Sequence, residues 1–274
     1  MVVNTAICSS LSSSATVRVS SVVMSSLVPY LVASDAPSGR VLPVRLSDAT
    51  WPETEGGPLV VVPLGSVEQH GRHLPLATDT VVSQTVAEAV APQLDGALLA
   101  PALAYGASGE HEGFPGTISL GTEALTALLV EYGRSAGRWA GRLLVVNGHG
   151  GNLDALRAAV PLLRTEGRDV AWFPCGVPGG DAHAGRTETS LMLHVEPGVV
   201  RETLAAAGET APIRELLPRL RAEGVRGVSP DGVLGDPAGA SAAEGAQLLA
   251  DLGARLLAAA TRWAVDDATG RLQG

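Results

Sequence analysis

Residues 59–64, with the sequence LVVVPL, are the feature that most constrains the fold of this chain. An uninterrupted apolar run rich in β-branched residues is typical of a strand covered on both faces, as in a parallel sheet. Further apolar runs at 98–103, 143–146 and 170–173 predict three more strands. The sequence therefore predicts a mostly parallel, buried sheet.

Segments with the apolar spacing of helices lie between these strands and after the last one. They cover residues 80–94, 123–139, 153–164, 187–194 and 241–263. Thr122 is a candidate N-cap of the second helix, and the run SAAE at 241–244 is a capping box for the last. Strands that alternate with helices predict an α/β fold with helices on both faces of the sheet.

The composition excludes two classes of partner. The 274 residues carry a formal net charge of -9, and the 19 cationic residues are all scattered arginines. Nucleic acid is excluded, because phosphate binding requires clustered Lys and Arg. A membrane-spanning helix is also excluded, because no apolar run reaches the ~20 residues that span a bilayer.

Residues 1–43 are rich in Ser and Val and poor in charge, which predicts a disordered or low-complexity extension. Residues 44–274 then form one domain. The extension lacks the basic region of a secretion signal, so we expect the cytoplasm. Of the two cysteines, Cys8 lies in this extension, so a structural disulfide is disfavoured. Cys175 is interpreted as a buried thiol rather than a nucleophile.

Carboxylates and imidazoles gather in the loop after the first predicted strand. Glu68 and His70 are two residues apart, so in an extended loop their side chains project to one side. Asp79 lies where the next helix begins and either caps that helix or binds a metal. Such a ligand set suits Zn²⁺, Mn²⁺ or Fe²⁺ better than Ca²⁺. On spacing alone, a metal site and a solvated loop with a capping aspartate both stay open.

A Gly-rich turn, NGHGGN at 147–152, follows the third predicted strand. Glycines let a backbone turn sharply and approach a ligand closely. Because a helix follows, a phosphate-binding loop is the rival interpretation. The spacing fits neither a Walker loop nor a dinucleotide fingerprint, and His149 in place of a lysine favours a metal.

The run GGDAHAGRTETS at 179–190 adds two more candidates. His183 is a candidate general acid or base near neutral pH. Glu188 is a candidate ligand, or an acidic residue favoured by the dipole of a helix N-terminus. Glu110 and His111 are candidates to line a substrate pocket. A serine hydrolase is disfavoured, because the chain contains no G-x-S-x-G elbow.

Three motifs, LGSVEQHGRHLPLATD, NGHGGN and HAGRTETS, together resemble the creatininase family of amidohydrolases. The resemblance runs from about residue 51 to about residue 263. It implies a three-layer α/β/α sandwich with a mostly parallel sheet. It also implies two divalent metal ions and, commonly, a homohexamer.

The same resemblance implies roles for individual residues. Glu68 and His149 would hold one ion, His70 the other, and Asp79 would bridge both. Creatininases carry an acidic ligand two residues after the histidine of the NGHGGN motif, but this chain has Gly151 there. We assign the missing carboxylate to Glu188, and this departure puts identity with creatininase itself in doubt.

Longer segments resemble one branch of the family, which matures the mycofactocin precursor peptide. They are AYGASGEHEGFPGTISLGTEALTALLVEYGRSAG, PGGDAHAGRTETSLMLH and GVSPDGVLGDPAGASAAEG. The resemblance implies a metal-dependent peptidase that releases a C-terminal Val-Tyr-derived fragment from the modified precursor peptide, with His183 passing a proton to the leaving amine. Two alternatives stay open: an amidohydrolase acting on creatinine or a formamide-type small molecule, and a non-catalytic binding scaffold.

Overall fold

The computed structural model of the protein describes residues 44–273. The extension predicted for residues 1–43, with Cys8 in it, lies outside the described residues, and the domain boundary at residue 44 stays a prediction. Within the described part, none of the helices combines the length and the apolar character that crossing a membrane requires.

Five strands form one parallel sheet in the order β1-β3-β2-β4-β5. The strands are β1 (Val44–Arg45), β2 (Leu59–Leu64), β3 (Leu98–Leu99), β4 (Arg142–Asn147) and β5 (Val170–Pro174). The central strands β2 and β4 pair along their whole length, and Leu64 lies opposite Asn147. The loops that follow these two strands therefore emerge side by side at the carboxyl edge of the sheet.

Within residues 44–273, six α-helices accompany the sheet. They are α1 (Thr78–Val90), α2 (Gly121–Ala136), α3 (Leu153–Thr165), α4 (Arg186–Val195), α5 (Ile213–Val228) and α6 (Ala242–Arg262). Alternate strand residues point to opposite faces of a sheet. On one face Val61 packs in a cluster with α1, α4 and α6, and on the other Val60 packs with α2 and α3. This arrangement confirms the predicted α/β/α sandwich.

Two boundaries differ from the sequence-based expectation. Ladder pairing of the strand predicted at 98–103 stops at Leu99, and only an isolated bridge joins Leu103 to Leu64. The predicted N-cap Thr122 is wrong, because α2 already begins at Gly121 with a positive φ of 73°. A glycine start of this kind leaves no signal in apolar spacing.

The N-cap predicted for α6 is confirmed. The Ser241 side chain accepts a hydrogen bond from the main-chain N–H of Glu244 at 3.2 Å. The Glu244 carboxylate does not close the capping box but accepts bonds from Arg186 and Ser190. This contact ties the start of α6 to α4, which carries part of the site described below.

Helix α5 was not predicted. Pro218 lies within it, and Gly224, with φ 67°, breaks it with a kink. The apolar spacing is therefore interrupted. Leu216 and Val225 nevertheless pack together with Leu234 in a small cluster of their own.

Candidate metal centre

Side chains from separate segments converge at the carboxyl edge of the sheet. Glu68 and His70 lie in the loop after β2, and His149 follows β4 directly. Asp79 is the second residue of α1 and 3% exposed, so it does not cap that helix; Ala77 holds the cap position without a side-chain bond. Because β2 and β4 end side by side, residues that are at least 70 positions apart in the sequence lie in one cluster.

The Asp79 carboxylate lies between two imidazoles. Its Oδ1 is 3.1 Å from Nε2 of His70, and its Oδ2 is 3.2 Å from Nδ1 of His149. Each imidazole has its own main-chain partner on the other nitrogen. Nδ1 of His70 is 3.1 Å from the Glu68 carbonyl oxygen, and Nε2 of His149 is 3.2 Å from the Ala107 carbonyl oxygen.

These contacts fix where the ring protons lie. A carbonyl oxygen only accepts hydrogen bonds, so His70 carries a proton on Nδ1 and His149 carries one on Nε2. Nδ1 of His149 lies 3.2 Å from Oδ2 of Asp79 without hydrogen-bond geometry. Nε2 of His70, in contrast, presents a lone pair to Oδ1 of Asp79. Facing lone pairs repel unless a second proton or a cation lies between them. Oδ2 of Asp79 is buried without a hydrogen-bond partner, so the site fits a metal ion.

Glu68 is completely buried. Its Oε2 accepts a hydrogen bond from Ser66 Oγ at 2.7 Å and lies 3.1 Å from Nε2 of His149. Its Oε1 has no hydrogen-bond partner and lies 3.3 Å from Nε2 of His111 and 3.7 Å from Nδ1 of His183. A buried oxygen without a partner is costly to maintain, which again fits a bound cation.

Three groups of side chains place ligand atoms close enough to share one ion. They are Glu68, Asp79 and His149; His70, His183 and Glu188; and Glu68, His111 and His183. The first group contains three of the predicted ligands. The second joins His70 to Glu188, whose atoms Nε2 and Oε2 are 3.9 Å apart. It also places His183, predicted as an acid or base, within reach of a metal.

Opposite charges dominate the titration of the central residues. Burial lowers the pKa of His70, but the Asp79 carboxylate overrides burial and raises it to about 10. Burial likewise opposes the charged form of His149, and the attraction of Glu68 holds the pKa of that ring well above its ordinary value. Burial would raise the pKa of Glu68, but His149 lowers it well below the ordinary value. In the absence of a cation, these groups exist as ion pairs.

The outer groups behave in the opposite way, because burial prevails. It lowers the pKa of His111 to about 4 and that of His183 well below its ordinary value. It raises the pKa of Glu188 to about 7, against the attraction of His70. At neutral pH, His111 and His183 are therefore uncharged and able to exchange or donate protons.

Comparison with known proteins identifies the family of this chain. The Creatininase family model, described as creatinine amidohydrolase, matches residues 47–260. This chain belongs to the creatininase family. Solved creatininases superpose on it, one with a TM-score of 0.68 and 27% identity over 81% of this chain and 98% of the other. They include a manganese form and a mutant of Zn-Zn type.

Two curated relatives are more similar in sequence. One, from Mycolicibacterium smegmatis, is 58% identical over 200 residues, which is 71% of this chain and 81% of the relative. Another, from Mycobacterium ulcerans, is 54% identical over 223 residues, which is 78% of this chain and 87% of the relative. Both are named mycofactocin precursor peptide peptidase. Creatininase-family membership and these peptidases indicate a hydrolase that acts on amide bonds.

Gly151 stands where the resemblance to creatininase implies an acidic ligand. A Cβ at this position would lie 2.3 Å from the Ala107 oxygen, 2.4 Å from Nε2 of His149 and 2.6 Å from Oε1 of Glu110. No side chain fits there. The Glu110 carboxylate, predicted to line the substrate pocket, lies against Gly151, with Oε1 3.6 Å from Nε2 of His149. Glu110 is one-third exposed, so it borders both the metal cluster and solvent.

Sequence reasoning missed Gln69. Its side chain is 5% exposed and contacts both His111 and His183. Its place between Glu68 and His70 was the only signal, because the contacts to His111 and His183 span 42 and 114 residues of sequence. Cys175 is buried, and burial raises its pKa to about 12, so it is not a nucleophile.

Proposed function

We propose that this protein is a metal-dependent peptidase that releases the C-terminal Val-Tyr-derived fragment from the modified precursor peptide in mycofactocin biosynthesis. The observation that carries the metal-dependent chemistry is the Asp79 carboxylate between the imidazoles of His70 and His149. Its Oδ1 faces a lone pair of His70, and its Oδ2 is buried without a hydrogen-bond partner among the described residues. The peptide substrate is supported by the named peptidases that share 54–58% of their aligned residues with this chain. Both features point to hydrolysis of an amide bond in a peptide.

For the metal ligands, we propose Glu68 and His149 for one ion and His70 for the other, with Asp79 bridging both. The orientation of Asp79 supports bridging, because its two oxygens face different imidazoles. Glu188 completes the second set, because it lies in the same group as His70 and His183, with its Oε2 3.9 Å from Nε2 of His70. Fe²⁺, Zn²⁺ and Mn²⁺ all suit a set of carboxylates and imidazoles.

When bound, two such ions supply Lewis acidity that activates a water molecule and polarises the scissile carbonyl. The side chains around them handle protons and orientation. His183 donates from Nε2 to the main-chain oxygen of Gln69 at 2.8 Å, so its Nδ1 is free to accept a proton. We propose that His183 passes this proton to the leaving amine. His111 and Glu110, at the border of the cluster, bind the peptide.

The finer properties of the assembly are also proposals. The family resemblance supports a homo-oligomer, for which a hexamer is the specific expectation, and light scattering of the purified protein tests it. The cytoplasmic location expected from the sequence stays a prediction.

The direct test is product analysis. Purified protein reconstituted with Zn²⁺, Mn²⁺ or Fe²⁺ is incubated with the modified precursor peptide and, separately, with creatinine. We expect mass spectrometry to show the Val-Tyr-derived fragment and the shortened peptide, with little turnover of creatinine. Preferred turnover of creatinine would support the small-molecule amidohydrolase instead. The binding scaffold would be supported if protein isolated under reducing conditions contains no metal and hydrolyses neither the precursor peptide nor creatinine.

A further inference from the structure

The side chain of Gln69 has an orientation fixed by two main-chain groups. Its Oε1 accepts a hydrogen bond from the N–H of Gly71 at 2.9 Å, and its Nε2 donates to the oxygen of Gly232 at 3.1 Å. Main-chain groups cannot exchange these roles. The close approach also depends on Gly232, where a Cβ would lie 1.9 Å from Oε1. The amide of Gln69 therefore cannot flip.

The second proton on Nε2 of Gln69 has one free acceptor. Nδ1 of His111 is 2.9 Å away. Nε2 of His183 is 3.1 Å away, but that nitrogen already carries the proton it donates to the main-chain oxygen of Gln69. Nδ1 of His111 must therefore be unprotonated, and the ring proton lies on Nε2. Nε2 of His111 lies 3.3 Å from Oε1 of Glu68, at the centre of the site, without a hydrogen bond between the two atoms.

We propose that Gln69 is a positioning residue, which fixes His111 as the neutral tautomer with its proton on Nε2. The proton on Nε2 of His111 is then available to a substrate bound at the cluster, and His111 is not a metal ligand. The group of Glu68, His111 and His183 is therefore not a third metal site. The kinetic consequence rests on the proposed peptidase function, whereas the tautomer itself does not.

The test is a long-range ¹H–¹⁵N spectrum of the Zn²⁺-loaded full-length protein labelled at histidine. A His111→Gln variant assigns the His111 signals by their disappearance. We expect Nδ1 of His111 to show the shift of an unprotonated nitrogen and Nε2 that of a protonated one. The reverse pattern in the wild-type protein would overturn the proposal, and this measurement requires no Gln69 variant to fold.

The Gln69→Glu variant tests the cause. A carboxylate of the same size only accepts, so Nδ1 of His111 should gain a proton and its signal should move to the protonated range. Loss of such an outer partner typically reduces activity about 10–100-fold, and we expect this fall in kcat on the modified peptide. Gln247→Glu, on the exposed face of α6, is the matched control. An unchanged His111 spectrum in Gln69→Glu contradicts the proposal; a changed spectrum without any peptide hydrolysis in the wild type contradicts only the proposed function.

Discussion

The carboxylate of Asp79 faces the imidazole of His149 through Oδ2 and Nδ1, which are 3.2 Å apart. Because the ring proton is directed at the Ala107 carbonyl, this contact has no proton of its own unless the ring is charged. A divalent ion would replace that charge. The predictions below separate residues that hold the ions from those that handle protons or only shape the site.

Asp79→Asn tests the bridging role. The amide keeps the size of the side chain but removes its charge, so we expect loss of both ions, measured by elemental analysis. Activity should fall by more than about 100-fold, since loss of an outer-shell partner alone typically costs about 10–100-fold. Circular dichroism controls for folding. Retention of two ions per protomer would show that Asp79 does not bridge them.

His183→Ala separates a proton carrier from a ligand. As a proton carrier, His183 contributes to turnover alone, so the variant should keep its metal and lose about 10²–10⁴-fold in kcat. The structure places His183 in one group with His70 and Glu188, so the opposite result has a clear meaning. Metal loss as large as in Asp79→Asn would make His183 a ligand.

Glycines 150 and 151 offer a matched pair. A Cβ at Gly151 would lie 2.3 Å from the Ala107 oxygen, whereas one at Gly150 would meet nothing within 4 Å. We expect Gly151→Ala to lower the free energy of unfolding by about 1–3 kcal/mol, the usual range for overpacking. Gly150→Ala should be nearly neutral. Equal denaturation midpoints in urea for the two variants would contradict the close packing of Glu110 and His149 around Gly151.

The metal-free protein should show a specific pH dependence at Glu188. Burial raises the pKa of this carboxyl to about 7, above its ordinary value of 4.5, so the folded state binds the proton more tightly. The stabilisation is complete below pH 4.5 and is lost as the pH rises through 7. Glu188→Gln, which keeps an acceptor for the Ala184 N–H, should therefore stabilise metal-free protein at pH 8 by up to about 3 kcal/mol.

The comparison for Glu188→Gln is made at pH 5.5 and pH 8, with Glu112→Gln at a nearby exposed position as the control. The gain in melting temperature should be larger at pH 8. In metal-loaded protein the sign should reverse, because the amide is a weaker ligand than the carboxylate. A variant that binds metal as tightly as the wild type would assign the missing carboxylate elsewhere, and Glu110 would be the next residue to test.

The strands and the residues near their ends could be predicted because a buried parallel sheet leaves a local signal. The run at 59–64 matches β2, and the structure pairs β2 with β4, which brings Glu68 and His149 together. Contacts that depend on loop conformation left no such signal. Neither the link between Gln69 and His111 nor the position of Glu110 against Gly151 follows from spacing.

The errors in the predicted helices also arise where the sequence carries no local signal. Apolar spacing locates a helix but not its first residue. The sequence therefore predicts Thr122 as the N-cap, whereas α2 begins at Gly121. In α5, Pro218 and the kink at Gly224 break the pattern that would have predicted the helix. Tertiary contacts stabilise both elements in spite of these local sequences.

The most direct test of the central claim is a metal titration of the chelated, dialysed protein. Bound ions per protomer and release of the Val-Tyr-derived fragment are measured on the same samples, with Glu68→Gln in parallel. We predict no activity without metal, full recovery as occupancy approaches two ions per protomer, and neither binding nor recovery in Glu68→Gln. Full activity of the chelated protein, or of Glu68→Gln without bound metal, would contradict the account.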